Sequence, residues 1–217
     1  MSNNIILSVR NLRKWFPVRL GFFQSLLKGE KLFVKAVDGI NFDLKAGEIL
    51  GLVGESGSGK FTLGLSIIRV LPPQAKIISG SVVFDGTDLL KLSEREMRKI
   101  RGKEISMVFQ DPLTSLDPLQ KIGDQIVETI LEHEPNISKQ EAYNMAKKAL
   151  QEVGIPPDRI DNYPHQLSGG QRQRVMIALA TVLKPKLIIA DEPTTALDVI
   201  VQDRIMELLS ALKKEYG

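Results

Sequence analysis

The sequence predicts an α/β fold: a phosphate-loop core with a mixed sheet and an inserted α-helical subdomain. Three observations carry this. Gly54, Glu55, Ser56, Gly57, Ser58, Gly59 and Lys60 form a glycine-rich loop between a continuous apolar run, residues 49–53, and a helix-period segment. A second apolar run, residues 187–190, ends in Asp191 and Glu192. Between them, residues 117–183 read as mostly helical by their 3.6-residue apolar period. The predicted core is therefore about 1–109 and 184–217, with the helical part at about 110–183.

The elements follow in order. Residues 5–10 read as a first strand, and 17–33 as a long loop with a short apolar turn. Residues 40–44 alternate as a half-buried strand does, and Ala46 with Gly47 turns the chain. Residues 49–53 are apolar throughout, the pattern of a strand buried on both faces of a parallel sheet. A helix is expected over 61–70, stopped by Pro72 and Pro73. Residues 81–84 with Asp85 and Gly86 give a strand and its turn. Ser93 with Glu96, and Ser138 with Glu141, are capping-box pairs that start helices. The second helix runs to Gly154, a C-terminal stop signal. Residues 105–109 and 187–190 are strands, and a last helix begins near Val199 with Ile205, Leu208, Leu209 and Leu212 on one side.

Composition narrows the classes. The chain is 43% hydrophobic and 25% charged, a globular balance. No run approaches the ~20 apolar residues that span a bilayer, and no basic-then-apolar leader opens the sequence. With no cysteine there is no disulfide framework and no thiolate metal site, which fits a cytoplasmic setting. Net charge is +3, but residues 9–35 hold seven basic residues against Glu30, a local +6 that leaves −3 elsewhere. This stretch is read as a solvated basic loop, with a polyanion contact as the alternative.

The glycine loop has the spacing Gly-x4-Gly-Lys between a strand and a helix. Such a loop curls backbone N–H groups around phosphate oxygens, and its lysine neutralises the outer phosphates. The next residue is normally Ser or Thr, whose hydroxyl ligates Mg²⁺. Here it is Phe61. Thr62 is one residue on and about 100° around the helix, so it does not substitute. Leu167, Ser168, Gly169, Gly170 and Gln171 open a helix-period segment, where free N–H groups and the positive helix end suit a phosphate.

The glycine loop, Leu-Ser-Gly-Gly-Gln and the apolar strand ending in Asp-Glu, in that order, resemble the ATP-binding subunits of ABC transporters. Residues 108–118, Val-Phe-Gln-Asp-Pro-Leu-Thr-Ser-Leu-Asp-Pro, look like the Q-loop of the oligopeptide and dipeptide transporter branch. The resemblance implies roles. Glu192 and Gln110 would be catalytic. Asp191 and Gln110 would hold Mg²⁺, and the loop with Phe61 and Thr62 would hold ATP. Residues 167–171 would face the ATP of a second subunit. Thr195, Ala196, Leu197 and Asp198 match the D-loop, and Asp198 also suits a helix N-cap. Phe16 would stack on adenine, with Trp15 or a plain core aromatic as alternatives.

The resemblance also implies ATP and Mg²⁺ as cofactors, a homo- or heterodimer of ATP-binding subunits, and permease subunits in the membrane. An extracytoplasmic peptide-binding protein would be an indirect partner, and no nucleic acid is implied. The location would be peripheral, on the cytoplasmic face of the cell membrane. Two departures predict impaired hydrolysis. One is Phe61. The other is the switch histidine expected on a strand after the D-loop, since His133 and His165 both precede Asp191 and the chain stops at Gly217. The expectation is a C-terminally truncated copy or a fragment. A catalytically weak nucleotide-binding subunit and a non-transport ABC ATPase are the alternatives. The 108–118 segment is expected to face a permease, with Leu113, Leu116 and Leu119 either partly exposed as contacts for that partner or packed into the domain interface.

Overall fold

The computed structural model describes residues 4–18, 32–70, 77–195 and 197–216. The expected apolar turn within the 17–33 loop and the Pro72–Pro73 stop lie outside these residues. Two compact units form, Met1–Met97 and Arg98–Gly217.

The first unit is built on an antiparallel sheet with strand order β2-β1-β3-β4. Strand β1 is Ile5–Pro17, β2 is Phe33–Lys45, β3 is Ile77–Phe84 and β4 is Thr87–Asp88. β1 is longer than expected because β2 and β3 flank it on both edges and satisfy both sides of its backbone. Its pairing is irregular, with register shifts near Leu12 and Trp15. Asp85 and Gly86 both take positive φ, the hairpin turn that matches strand twist. Helix α1, Lys60–Ile67, packs on β1 and β2, burying Leu63 and Ile67. Helix α2, Glu94–Ile100, starts at the Ser93–Glu96 capping box and buries Met97.

Residues 49–53 correct the sequence expectation. They form no strand, and Ile49 is 68% and Val53 96% exposed. A strand exists only through a ladder partner, and within this unit the run pairs with none of β1 to β4. Apolar composition alone did not supply one.

The second unit pairs β5, Ile105–Val108, with β6, Leu187–Ala190, in parallel. Parallel neighbours need a long crossover, and the helices provide it: α3, Pro112–Ser115; α4, Ile122–His133; α5, Lys139–Glu152; α6, Gly169–Thr181. Ser138 and Glu141 cap α5 reciprocally, as expected. Gly154 closes it with φ 72, and Ile155 N–H bonds the Leu150 carbonyl at 2.8 Å. The core joins Ile122, Ile126, Ile130, Ala146, Leu150 and Ile177 to Ile205 and Leu212 of α7, Val199–Tyr216.

Leu116 takes the packed one of its two expected places. Asp111 caps α3 by accepting from Leu113 N–H, Pro112 sits in the first turn, and the short helix delivers Leu116 into the core at 2% exposure. Leu113 and Leu119 stay exposed, at 62% and 85%.

Candidate functional site

The phosphate loop lies between the turn after β2 and α1. Gly59 is the N-cap of α1 at φ 95, and a Cβ there would overlap the Ala36 carbonyl oxygen of β2. Only glycine lets the loop lie this close to the strand. Residues 54–58 are exposed, and no side chain caps α1 or places an acid in its first turn. The first-turn N–H groups therefore keep their positive potential for an anion. The Lys60 ammonium folds back on the loop, donating to the carbonyls of Gly54 at 2.5 Å and Glu55 at 2.9 Å. Phosphate oxygens would compete for the same three N–H donors.

Phe61 stands on the first turn of α1, 47% exposed, and Thr62 beside it is half-buried. The position next to the loop lysine thus presents a ring and no oxygen.

Phe16 and Trp15 lie near the end of β1. Phe16 pairs with Val34 of β2, two residues before Ala36. Two residues of strand span about 7 Å, so the β1–β2 end carrying Phe16 stands close to the glycine loop. Trp15 donates its indole N–H to Asp38 at 3.3 Å, lies beside Phe33, and has the Lys35 ammonium 4.8 Å from its ring centre. Phe16 is partly exposed.

In the second unit the acidic residues follow the ends of the parallel strands. Asp191 N–H continues the ladder to the Val108 carbonyl at 2.9 Å. This sets Gln110 two residues beyond β5 and Glu192 two residues beyond β6, at the carboxyl ends where open α/β sheets hold ligands. Gln110 Nε2 donates to Glu192 Oε2 at 2.9 Å, and Thr195 Oγ1 donates to the same oxygen at 3.0 Å. Glu192 has φ 43, an uncommon conformation for a side-chain-bearing residue, of the kind held at functional turns. A carboxylate with two donors on one oxygen is fixed in direction and can take a proton on the other. Thr195 escaped the sequence reading as a partner of Glu192. Its spacing three residues after the glutamate was the available signal.

The Leu-Ser-Gly-Gly-Gln run divides by role. Leu167 is core, 4% exposed. Ser168 and Gln171 form a capping box at the start of α6: Gln171 N–H bonds Ser168 Oγ at 3.3 Å, and Ser168 N–H bonds Gln171 Oε1 at 3.0 Å. Arg172 braces the turn through the Leu167 carbonyl at 2.6 Å. Gly169 and Gly170 begin the helix under α7: a Cβ at Gly170 would lie 2.7 Å from Val201 Cγ1, and one at Gly169 would lie 3.8 Å from Leu197 Cδ2. Asp198 caps α7 by accepting from Val201 N–H at 3.0 Å. The structure therefore groups Gln110 with Glu192 at one place, and the Leu-Ser-Gly-Gly-Gln turn with Leu197 and Val201 at another.

The sequence matches the ABC transporter family over residues 37–195, most of its length. The chain belongs to the ABC transporter family. It is 51% identical over 185 residues to the oligopeptide transport ATP-binding protein OppD of Bacillus subtilis, an alignment covering 84% of this chain and 51% of that protein. It is 48% identical to a probable peptide ABC transporter ATP-binding protein of Sinorhizobium fredii, over 99% of this chain and 61% of the relative. The chain thus spans a little over half the length of these relatives. Among solved structures, the ATP-binding cassette MJ0796, a dimer bound to ADP and phosphate, aligns with a TM-score of 0.80 at 31% identity. That alignment covers 97% of this chain and 84% of the cassette. Among the described residues no helix is long and apolar enough to cross a membrane.

Proposed function

We propose that this chain is an ATP-binding subunit that couples ATP binding and hydrolysis to peptide movement through a membrane permease. The observation that supports it most is the Gln110–Glu192 hydrogen bond, which joins residues 82 apart at the ends of neighbouring parallel strands. In this reading residues 54–60 and Lys60 hold the β- and γ-phosphates. Glu192 takes a proton from the attacking water and Gln110 orients it. Ser168, Gly169 and Gly170 complete the ATP site of a second subunit, and Asp198 lies at the subunit junction. The core is about 1–109 and 184–217, and the helical subdomain about 110–183. The subunit sits peripherally on the cytoplasmic face of the membrane, and the peptide reaches the permease from an extracytoplasmic binding protein. The peptide-transport relatives support the choice of substrate class.

Mg²⁺ would be held by Asp191 and Gln110, with waters and nucleotide oxygens filling the remaining positions. When bound it would neutralise charge on the phosphates. The donor set is one short, because Phe61 brings no oxygen where a hydroxyl belongs. Phe61 also favours a second reading: a subunit that binds nucleotide, hydrolyses it slowly and pairs with an active partner.

Phosphate release by the purified chain, alone and reconstituted with a peptide-transporter permease, tests the proposal. Stimulation by permease and loss in Glu192→Gln are expected. A chain that shows no ATP binding in equilibrium dialysis would sink both readings. Binding with only slow turnover that permease does not stimulate would leave only the second.

A further inference from the structure

Lys14 is the anomaly of the first sheet. It is fully buried in β1, two residues beyond fully buried Leu12, on a strand that otherwise buries apolar side chains. Burying an ammonium costs more than burying a leucine unless something stabilises the cation. Here its Nζ lies 4.2 Å from the centre of the Phe16 ring and donates to the Trp15 carbonyl at 3.2 Å. Desolvation pulls the lysine below its ordinary pKa. The ring face, with its negative quadrupole, and the carbonyl both oppose that shift.

We propose that Lys14 is a positioning residue for nucleotide binding, holding Phe16 from beneath as a platform on which the base stacks. The proposal rests on the reading that Phe16 receives the adenine. Two π faces brought together repel through their negative quadrupoles unless offset. A cation on the far face withdraws that density, so the near face accepts a base more readily, and it also fixes the ring plane. Phe16 is partly exposed, leaving surface for a base. The β1–β2 end that carries it adjoins the glycine loop through Ala36 and Gly59. Ring and phosphate cradle thus belong to one compact unit.

The test separates base from phosphate. Calorimetric Kd values for ATP and for inorganic tripolyphosphate are measured on the full chain, Lys14→Met, Phe16→Leu and the double variant. Lys14→Met should weaken ATP about fivefold, the scale of a modest cation–π contact, and leave tripolyphosphate unchanged. In the Phe16→Leu background, Lys14→Met should add nothing, the non-additivity of a direct pair. If Phe16→Leu weakens ATP but Lys14→Met does not, the proposal is overturned while the Phe16 reading stands. If Phe16→Leu leaves ATP unchanged, the Phe16 reading fails and takes the proposal with it. Equal loss of both ligands in Lys14→Met, or additive losses, means that Lys14 supports the sheet and not the ring. The single tryptophan, Trp15, reports folding of each variant by its emission. Lys14→Gln, polar and of similar length, replaces Lys14→Met in the same comparisons if the methionine variant does not fold.

Discussion

Replacing Phe61 by serine should make nucleotide binding respond to Mg²⁺. The ring is 47% exposed on the first turn of α1, so serine forfeits about half of a full side-chain burial, roughly 1 kcal/mol of stability. Serine and phenylalanine have similar helix propensities, so the backbone adds little. The gain lies in the hydroxyl. A polar contact to a charged group contributes about 1.5–3 kcal/mol, a factor of about ten or more in binding. The assay titrates a fluorescent ATP analogue in Mg²⁺ and in EDTA. The ratio of the two Kd values should be about tenfold larger for Phe61→Ser than for the wild type, by the same magnitude. Phe61→Ala removes the bulk without adding an oxygen and should leave the ratio near the wild-type value. An alanine ratio equal to that of serine would mean that the ring crowds the metal and no ligand was missing. Equal ratios in all three proteins would refute the reasoning that Phe61 disturbs a metal position at all.

Leu116→Ala should cost about 2–4 kcal/mol in urea unfolding, because the side chain is 2% exposed. Leu113→Ala and Leu119→Ala, at 62% and 85% exposure, should stay within about 0.5 kcal/mol. Gly170→Ala should lower the melting temperature despite alanine's better helix propensity, because stiff, β-branched Val201 has a methyl 2.7 Å from the new Cβ. Val201→Ala in the same chain should recover it, and no recovery would place the clash elsewhere. The Asp161 carboxylate is held below its ordinary pKa first by the hydrogen bond from Lys121, 2.9 Å long, and then by that lysine's charge. A depressed carboxylate contributes stability that is full above the ordinary value of 3.8 and lost as pH falls through the folded value. Asp161→Asn should therefore melt earlier than wild type at pH 7, with the difference shrinking on acidification. A constant difference across the pH series would contradict the assignment.

What was legible in the sequence was local. The boxes at Ser93–Glu96 and Ser138–Glu141, the Gly154 stop and the Asp198 cap each depend on atoms within a few residues, and each formed as read. Elements that depend on distant partners were less legible. Residues 49–53 have a strand's composition but no ladder in their unit. β1 extends past Arg10 because β2 continues beside it to Phe33. Leu116 read equally well as a surface contact or a packed residue, because the prolines hid a one-turn helix that rotates it inward. At the site, the family motifs located Gln110 and Glu192. Their shared oxygen with Thr195 required the fold. Lys14 gave no warning, since a lysine in a strand usually marks the solvent face.

The parallel pairing of β5 with β6 has a consequence for how the chain is made. Ile105 meets Leu187, a partner synthesised about 80 residues later, on the order of 4–16 s at ribosomal speed. Through that interval β5 has an edge and no neighbour from β6. The segments that give α4 and α5 emerge meanwhile, and their shared contacts through Ile126, Ile130, Ala146 and Leu150 need no later residue. The helical insertion can therefore close first and hold the two strand positions near one another. Gln110 waits on Glu192, 82 residues later, so that hydrogen-bonded pair forms only after the helical insertion between them has emerged.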